Sequence, residues 1–179
     1  PIFSLPSKYG IGTLGKEAYR FADMLHAARQ EYWQVLPLGP TSYGDSPYQS
    51  FSTFAGNPYF IDLDLLVEDG LLSRQDLADA DWGDDPRHVD YGKIYAARFP
   101  VLRRAFVRGY PRDRALVERF ARENPWVKNY ALFMALKAHF GMKSWLEWED
   151  REIARHQSGA VARYEKLLEE DIGFHIYLQ

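Results

Sequence analysis

The 179-residue sequence has no cysteine, which excludes disulfide frameworks, thiolate metal sites and cysteine nucleophiles. No apolar run approaches the ~20 residues that a membrane helix needs, and the N-terminus does not read as a signal peptide. The expectation is therefore a cytoplasmic protein with no membrane partner. An excess of basic charge is missing as well. Lys and Arg number 22 against 25 Asp and Glu, for a net charge of -3, so nucleic acid is not the expected partner. His26, His88, His139, His156 and His175 show no metal-ligand spacing and read as structural. There is no G-x-S-x-G elbow, and Gly10-Ile11-Gly12 lacks the third glycine of a dinucleotide fingerprint. What the chain does have is an ordinary globular balance, 46% hydrophobic and 26% charged, in a length that fits one domain or at most two. It is also rich in aromatics, with 12 Tyr, 11 Phe and 5 Trp. Tyr and Trp join a flat apolar face to a polar handle, which suits ring stacking as well as core packing.

The pattern predicts a βαβ start. Ile2–Leu5 reads as the tail of a buried strand, and residues 9–15 as a glycine-rich loop. A helix over about 16–29 follows, with Ala18, Phe21, Ala22, Leu25 and Ala28 on one stripe. Tyr32–Leu38 then reads as a strand stopped by Gly39-Pro40. Residues 39–60 have no period, and carry Tyr43, Tyr48, Phe51, Phe54, Tyr59 and Phe60 among prolines and glycines. A loop this long is usually functional or disordered, and its aromatics favour order. The rest reads as helical. Ser73 caps a short helix with Asp76 at its third position. A helix over 90–108 carries Ile94, Ala97, Val101, Leu102 and Ala105, with Pro100 as kink or boundary. Further helices are expected over 113–123, over 127–140 ended by Gly141, and from Ala160 to the end. The acidic groups Glu147–Asp150 and Glu169–Asp171, and the run Arg103, Arg104, Arg108, Arg112 and Arg114, read as solvated faces.

The strongest local signal is Tyr43-Gly44-Asp45-Ser46-Pro47-Tyr48-Gln49, just past the end of the second expected strand, where α/β proteins place ligand sites. Asp45, Ser46 and Gln49 offer hydrogen bonds to hydroxyls, and Tyr43 and Tyr48 offer stacking faces. The same residues also make sense as turn chemistry with the tyrosines as satellite core. Glycosidic chemistry needs two carboxylates about 5–9 Å apart across a cleft, and no such pair can be nominated among the 25 acids.

Longer stretches carry a resemblance. Residues 4–15 (SLPSKYGIGTLG), 32–41 (YWQVLPLGPT) and 43–63 (YGDSPYQSFSTFAGNPYFIDL) resemble the 4-alpha-glucanotransferases of glycoside hydrolase family 77, the amylomaltases or disproportionating enzymes. Val89-Asp90-Tyr91 and residues 126–137 (WVKNYALFMALK) are similar to family segments too. The resemblance spans the chain, and is most specific over 4–63. It implies an α/β fold class: the N-terminal part of a TIM (β/α)8 barrel with a mainly α-helical insertion, the piece itself predominantly helical. Residues 1–60 would form the first βαβ portion with an active-site loop. Residues 61–179 would form the helical insertion returning toward the barrel.

The same resemblance implies transfer of α-1,4-glucan segments between maltooligosaccharides by retaining double displacement, with no metal or organic cofactor. The family's catalytic carboxylates would lie on later barrel strands, outside these 179 residues, so the piece alone is expected to be inactive. Tyr48 would stack on the sugar beside the scissile bond. Ser46, Asp45 and Gln49 would bind or shape the neighbouring subsite, and Tyr43 with Tyr91 would line a secondary glucan groove. The alternative is a non-catalytic α-glucan-binding module. Open barrel edges would favour self-association.

Overall fold

A computed structural model of the protein describes residues 1–42, 44–85 and 87–179. The chain divides into two units, Pro1–Gly109 and Tyr110–Gln179. Regular structure among the described residues is helical, apart from an isolated antiparallel bridge between Thr41 and Ser50. The predominance of helix matches the expectation, but the βαβ start does not form. Ile2–Ser4 is a 3-10 turn, and residues 31–38 are neither strand nor helix. A strand exists only through partners that satisfy its N–H and C=O groups, and the described residues supply no ladder here. The strand edges expected to drive self-association are therefore absent among them.

In the first unit, helix α1 spans Lys16–Ala27. It begins where Gly15 lies so close to Asp62 that a Cβ would fall 1.9 Å from the Asp62 Oδ2. Of its expected stripe only Ala18 is buried. Phe21 and Leu25 are half-buried, and Ala22 and Ala28 are exposed; the described residues supply no sheet to cover them. Phe21 instead packs on Trp33, ring centroids 4.7 Å apart. Backbone bonds stitch the N-terminal loop to later segments, with Gly12 N donating to Phe3 O (3.0 Å) and Leu14 N to Phe60 O (2.9 Å). Ile11, Tyr59 and Ile94 form a small core against which Phe3, Trp82, Tyr91 and Phe99 pack.

Helices α2 (Leu63–Glu68) and α3 (Arg74–Ala78) are short and explicitly capped. Asp62 accepts from Leu65 N, and Ser73 with Asp76 forms the expected cap as a full capping box. Helix α4 runs unbroken from Tyr91 to Glu123, so Pro100 and Pro111 are interior rather than boundaries, and the helix expected over 113–123 is its last part. Each proline forfeits one i→i−4 bond. Burial of Ile94, Val101, Leu102, Ala105 and Phe106 holds the helix across the first of them. Arg98, not Ala97, completes this stripe. The arginine run is only partly a solvated face. Arg108 grips the Asp76 carboxylate with both terminal nitrogens (2.5 and 3.1 Å), and Arg104 donates to Asp76 O (3.1 Å).

In the second unit, α5 (Trp126–His139) is buried around much of its circumference through Val127, Tyr130, Ala131, Leu132, Ala135 and Leu136. It packs on α7 (Ser158–Leu167) and α8 (Glu169–Leu178). The single helix expected from Ala160 onward is thus two, broken at Leu168 (φ -111°, ψ 25°). Gly141 stops α5 as expected, at the left-handed φ of 63° that glycine adopts freely. Of the group 147–150, Glu147 and Glu149 are exposed as expected and Asp150 is half-buried, but the residue among them is not solvated. Trp148 is buried and stacks on Phe140 at 5.1 Å. Glu147 caps a 3-10 turn, and Asp150 caps α6 (Arg151–Ala154) while pairing with Arg163 at 2.7 Å.

Candidate functional site

The loop over 38–57 is irregular yet tied at every level. At its base Asn57 N donates to Leu38 O (2.8 Å). Above this the Thr41–Ser50 bridge closes it, and Ser42 N donates to Gln49 O (3.1 Å). Near the tip, Asp45 N donates to Ser42 O (3.0 Å) and Gln49 N to Ser46 O (3.1 Å). Side chains supply the remaining ties. Ser52 Oγ accepts from the amides of Phe54 and Ala55 (3.2 and 3.1 Å), and Ser50 Oγ donates to Ser52 O (2.8 Å). Such short-range bonds from Ser and Asn fix a path that no periodic pattern describes.

The loop displays its side chains in two ways. Tyr48 is 75% exposed, Gln49 is exposed, and Ser46 is half-buried with its Oγ accepting from Tyr48 N (3.3 Å). Asp45 turns the other way in environment. It sits in the left-handed region (φ 53°), half-buried, and its carboxylate accepts from Thr41 Oγ1 (3.2 Å). Burial raises its pKa, against the lowering effect of the Thr41 bond. The same carboxylate acts electrostatically on Tyr59 and Tyr91. Both phenols are raised, first by burial and then by the Asp45 charge, Tyr59 also by Tyr95 and Tyr91. The Tyr59 and Tyr91 rings lie 6.2 Å apart.

Asp45 and Tyr91, far apart in sequence, therefore interact electrostatically, and Tyr91 packs against Tyr59. Tyr48 lines neither of the two nearby hollows, and Tyr43 lies outside the described residues. Sequence reasoning missed Tyr59, Thr41 and Arg98. The signal for Arg98 was its place on the buried stripe, four residues after Ile94 and four before Leu102.

The two hollows differ in what they can hold. An open cleft of about 780 Å³ is bordered by Phe3, Lys8, Trp82, Asp84, Asp85, His88 and Tyr91. Gly10 forms part of its wall, at φ 71°, where a Cβ would fall 2.1 Å from Trp82 O. A cleft of this size, with aromatic, cationic and anionic groups converging, is large enough for an organic ligand. A second hollow of about 20 Å³, between Leu36–Leu38, Thr41, Tyr59 and Tyr91, has room for about one water. Tyr91 borders both, so it is a wall of the cleft and a lid on the small void.

Comparison with known proteins bears on this geometry. The sequence profile of glycoside hydrolase family 77, 4-alpha-glucanotransferase, matches residues 1–179. A 4-alpha-glucanotransferase of Clostridium butyricum is 47% identical over 179 residues, covering 99% of this chain and 37% of the relative. One from Streptococcus pneumoniae is 48% identical over 176 residues, covering 97% of this chain and 35% of the relative. Among solved structures, the amylomaltase from Streptococcus agalactiae in complex with acarbose superposes with a TM-score of 0.94 at 45% identity, covering 99% of this chain and 36% of that one. The chain thus spans about a third of the length of the relatives it matches. The expected fold class, part of a TIM-barrel enzyme and itself mostly helical, stands on that superposition. With the profile covering every residue and the fold shared at close to half identity, the chain belongs to the 4-alpha-glucanotransferase family.

Proposed function

We propose that these residues form the glucan-contacting N-terminal part of an enzyme that moves α-1,4-glucan segments between maltooligosaccharides. The observation that carries the reading is the whole-chain likeness to an amylomaltase solved with acarbose. On this reading Tyr48 presents its exposed ring as a stacking platform, which suits any glucose unit of a polymer. Ser46, Asp45 and Gln49 supply directional contacts to hydroxyls. Tyr91, which borders the open cleft, is assigned with Tyr43 to a secondary glucan-binding groove. The reaction is a retaining double displacement. A carboxylate attacks the anomeric carbon while a carboxylic acid protonates the departing oxygen. The acceptor hydroxyl then displaces the enzyme, giving up its proton to the same second group. Both carboxylates are assigned to barrel strands outside residues 1–179, and no metal or cofactor is required.

The test is disproportionation of maltotriose by the full-length protein, followed by chromatography. Glucose together with longer maltooligosaccharides is expected, and their absence defeats the reading. The 179-residue chain alone is expected to transfer nothing. A second reading, glucan binding without transfer, draws on the exposure of Tyr48 in an ordered loop. It gains if maltoheptaose binds to the full-length protein and no transfer products appear.

A further inference from the structure

We propose that Arg98 is a positioning residue for the glucan site, holding the turn over 57–61 so that the Tyr59 ring stays packed against Tyr91. The inference rests on the glucan reading above for its functional consequence, but not for its geometry.

Arg98 is fully buried, with 0% exposure, on the apolar stripe of α4. It lies seven residues after Tyr91, two helical turns along the same side. Its Nε donates to Pro58 O (3.4 Å) and its Nη2 donates to Ile61 O. These two carbonyls bracket Tyr59. From the other end, Asn57 Oδ1 accepts from Tyr59 N (2.9 Å), so the turn is clamped at both ends. Tyr59 then meets Tyr91 at 6.2 Å and Phe99, the neighbour of Arg98, at 6.1 Å. One side chain of α4 thereby couples the turn that follows the loop to the helix that begins with Tyr91.

A buried guanidinium is an expensive way to fill space. Removing it from water is costly unless it is paired, and a hydrocarbon of equal volume avoids that cost. Burial lowers the Arg98 pKa to about 10, against the opposing charge of Asp62, which leaves it cationic at neutrality. Its Nη1 has no hydrogen-bond partner among the described residues. Packing alone does not account for this arrangement. What the guanidinium adds is two N–H groups in a rigid fork, directed at two particular carbonyls. Methionine would fill the space but would direct nothing.

The experiment uses the full-length protein with Arg98→Met and Arg98→Lys. Kinetics on maltotriose are read alongside amide hydrogen exchange. For Arg98→Met, KM is expected to rise about tenfold with kcat within about threefold. Amides over 57–61 are expected to exchange about tenfold faster while those of α5 stay unchanged. Arg98→Lys, which restores a donor without the fork, is expected to recover part of both effects. Unchanged KM together with unchanged exchange over 57–61 overturns the proposal. So does a loss of kcat in proportion to a general loss of protection that includes α5, because that marks a purely structural role. If the parent protein shows no transfer, the glucan reading fails instead, and the exchange arm still decides whether Arg98 holds the turn.

Discussion

The two units are ordered by different means. In Tyr110–Gln179, order comes from area. Leu132, Ala135, Leu136, Trp148, Ile153, Ala160, Tyr164 and Leu168 form one buried cluster, and the helices follow from what must be covered. In Pro1–Gly109 burial holds α4, while in residues 1–62 directed hydrogen bonds do much of the ordering. Asn57, Ser52, Asp62 and Arg98 aim single hydrogen bonds at single backbone groups, and glycines at 10, 12 and 15 let segments approach where no Cβ fits. Area tolerates repacking. Direction does not, but it lets a loop hold an aromatic ring out in water, as Tyr48 is held. The region suited to recognition is the one built from polar ties.

Substitutions break or sharpen this contrast. The largest effect is expected from Leu136→Ala in the second unit, a loss of about 2–5 kcal/mol in denaturant unfolding. Hydrogen exchange over residues 38–62 should hardly respond, since Leu136 belongs to the other cluster. Asp62→Ala comes next. Asp62 caps α2 and accepts from Thr13 Oγ1 at 2.5 Å, so its loss is expected to cost about 1–2 kcal/mol. The damage should appear in the amides of residues 12–15 and 63–66, while α5 and α8 keep their protection. Equal losses in both units would contradict the division.

A smaller effect is expected from pH. The Arg108 hydrogen bonds, with the Ser73 amide and hydroxyl, hold the Asp76 carboxyl well below the usual carboxylate range. A folded-state pKa below the unfolded value of about 4 means that the contribution is present above pH ~4 and is lost as pH falls through the folded value. Amides at the start of α3 should therefore lose protection on acidification below about pH 4. Asp76→Asn should flatten that dependence, and added salt should weaken it, because Arg108 is exposed.

How legible this was in the sequence follows the same contrast. Helix α5 and its glycine stop were readable, because an unbroken run of apolar helix formers and a left-handed C-terminal glycine are local signals. The Ser73–Asp76 cap was readable for the same reason. Helix α4 was misdivided because proline is a strong local breaker, while the burial of Ile94 through Phe106 that overrides it is tertiary. The strand over 32–38 was expected from β-branched and aromatic residues, but pairing is a property of partners, and none lies among the described residues. In the site, the residue types of the loop were legible and their convergence was not. Nothing in the spacing announces that Tyr59 packs on Tyr91, or that a buried arginine stands behind them. Those contacts join residues more than thirty positions apart, through side chains that single-sequence reasoning assigns to solvent or core one at a time.

The smallest expected effect on stability belongs to the residue with the largest expected effect on function. Tyr48→Ala removes an exposed ring and should change unfolding by no more than about 0.5 kcal/mol. Maltoheptaose titrated calorimetrically into the full-length protein and its Tyr48→Ala variant tests the central claim most directly. The expected result is binding to the parent weakened about tenfold or more in the variant, with unfolding unchanged. Equal affinity in two equally stable proteins would contradict the assignment of this loop to glucan recognition.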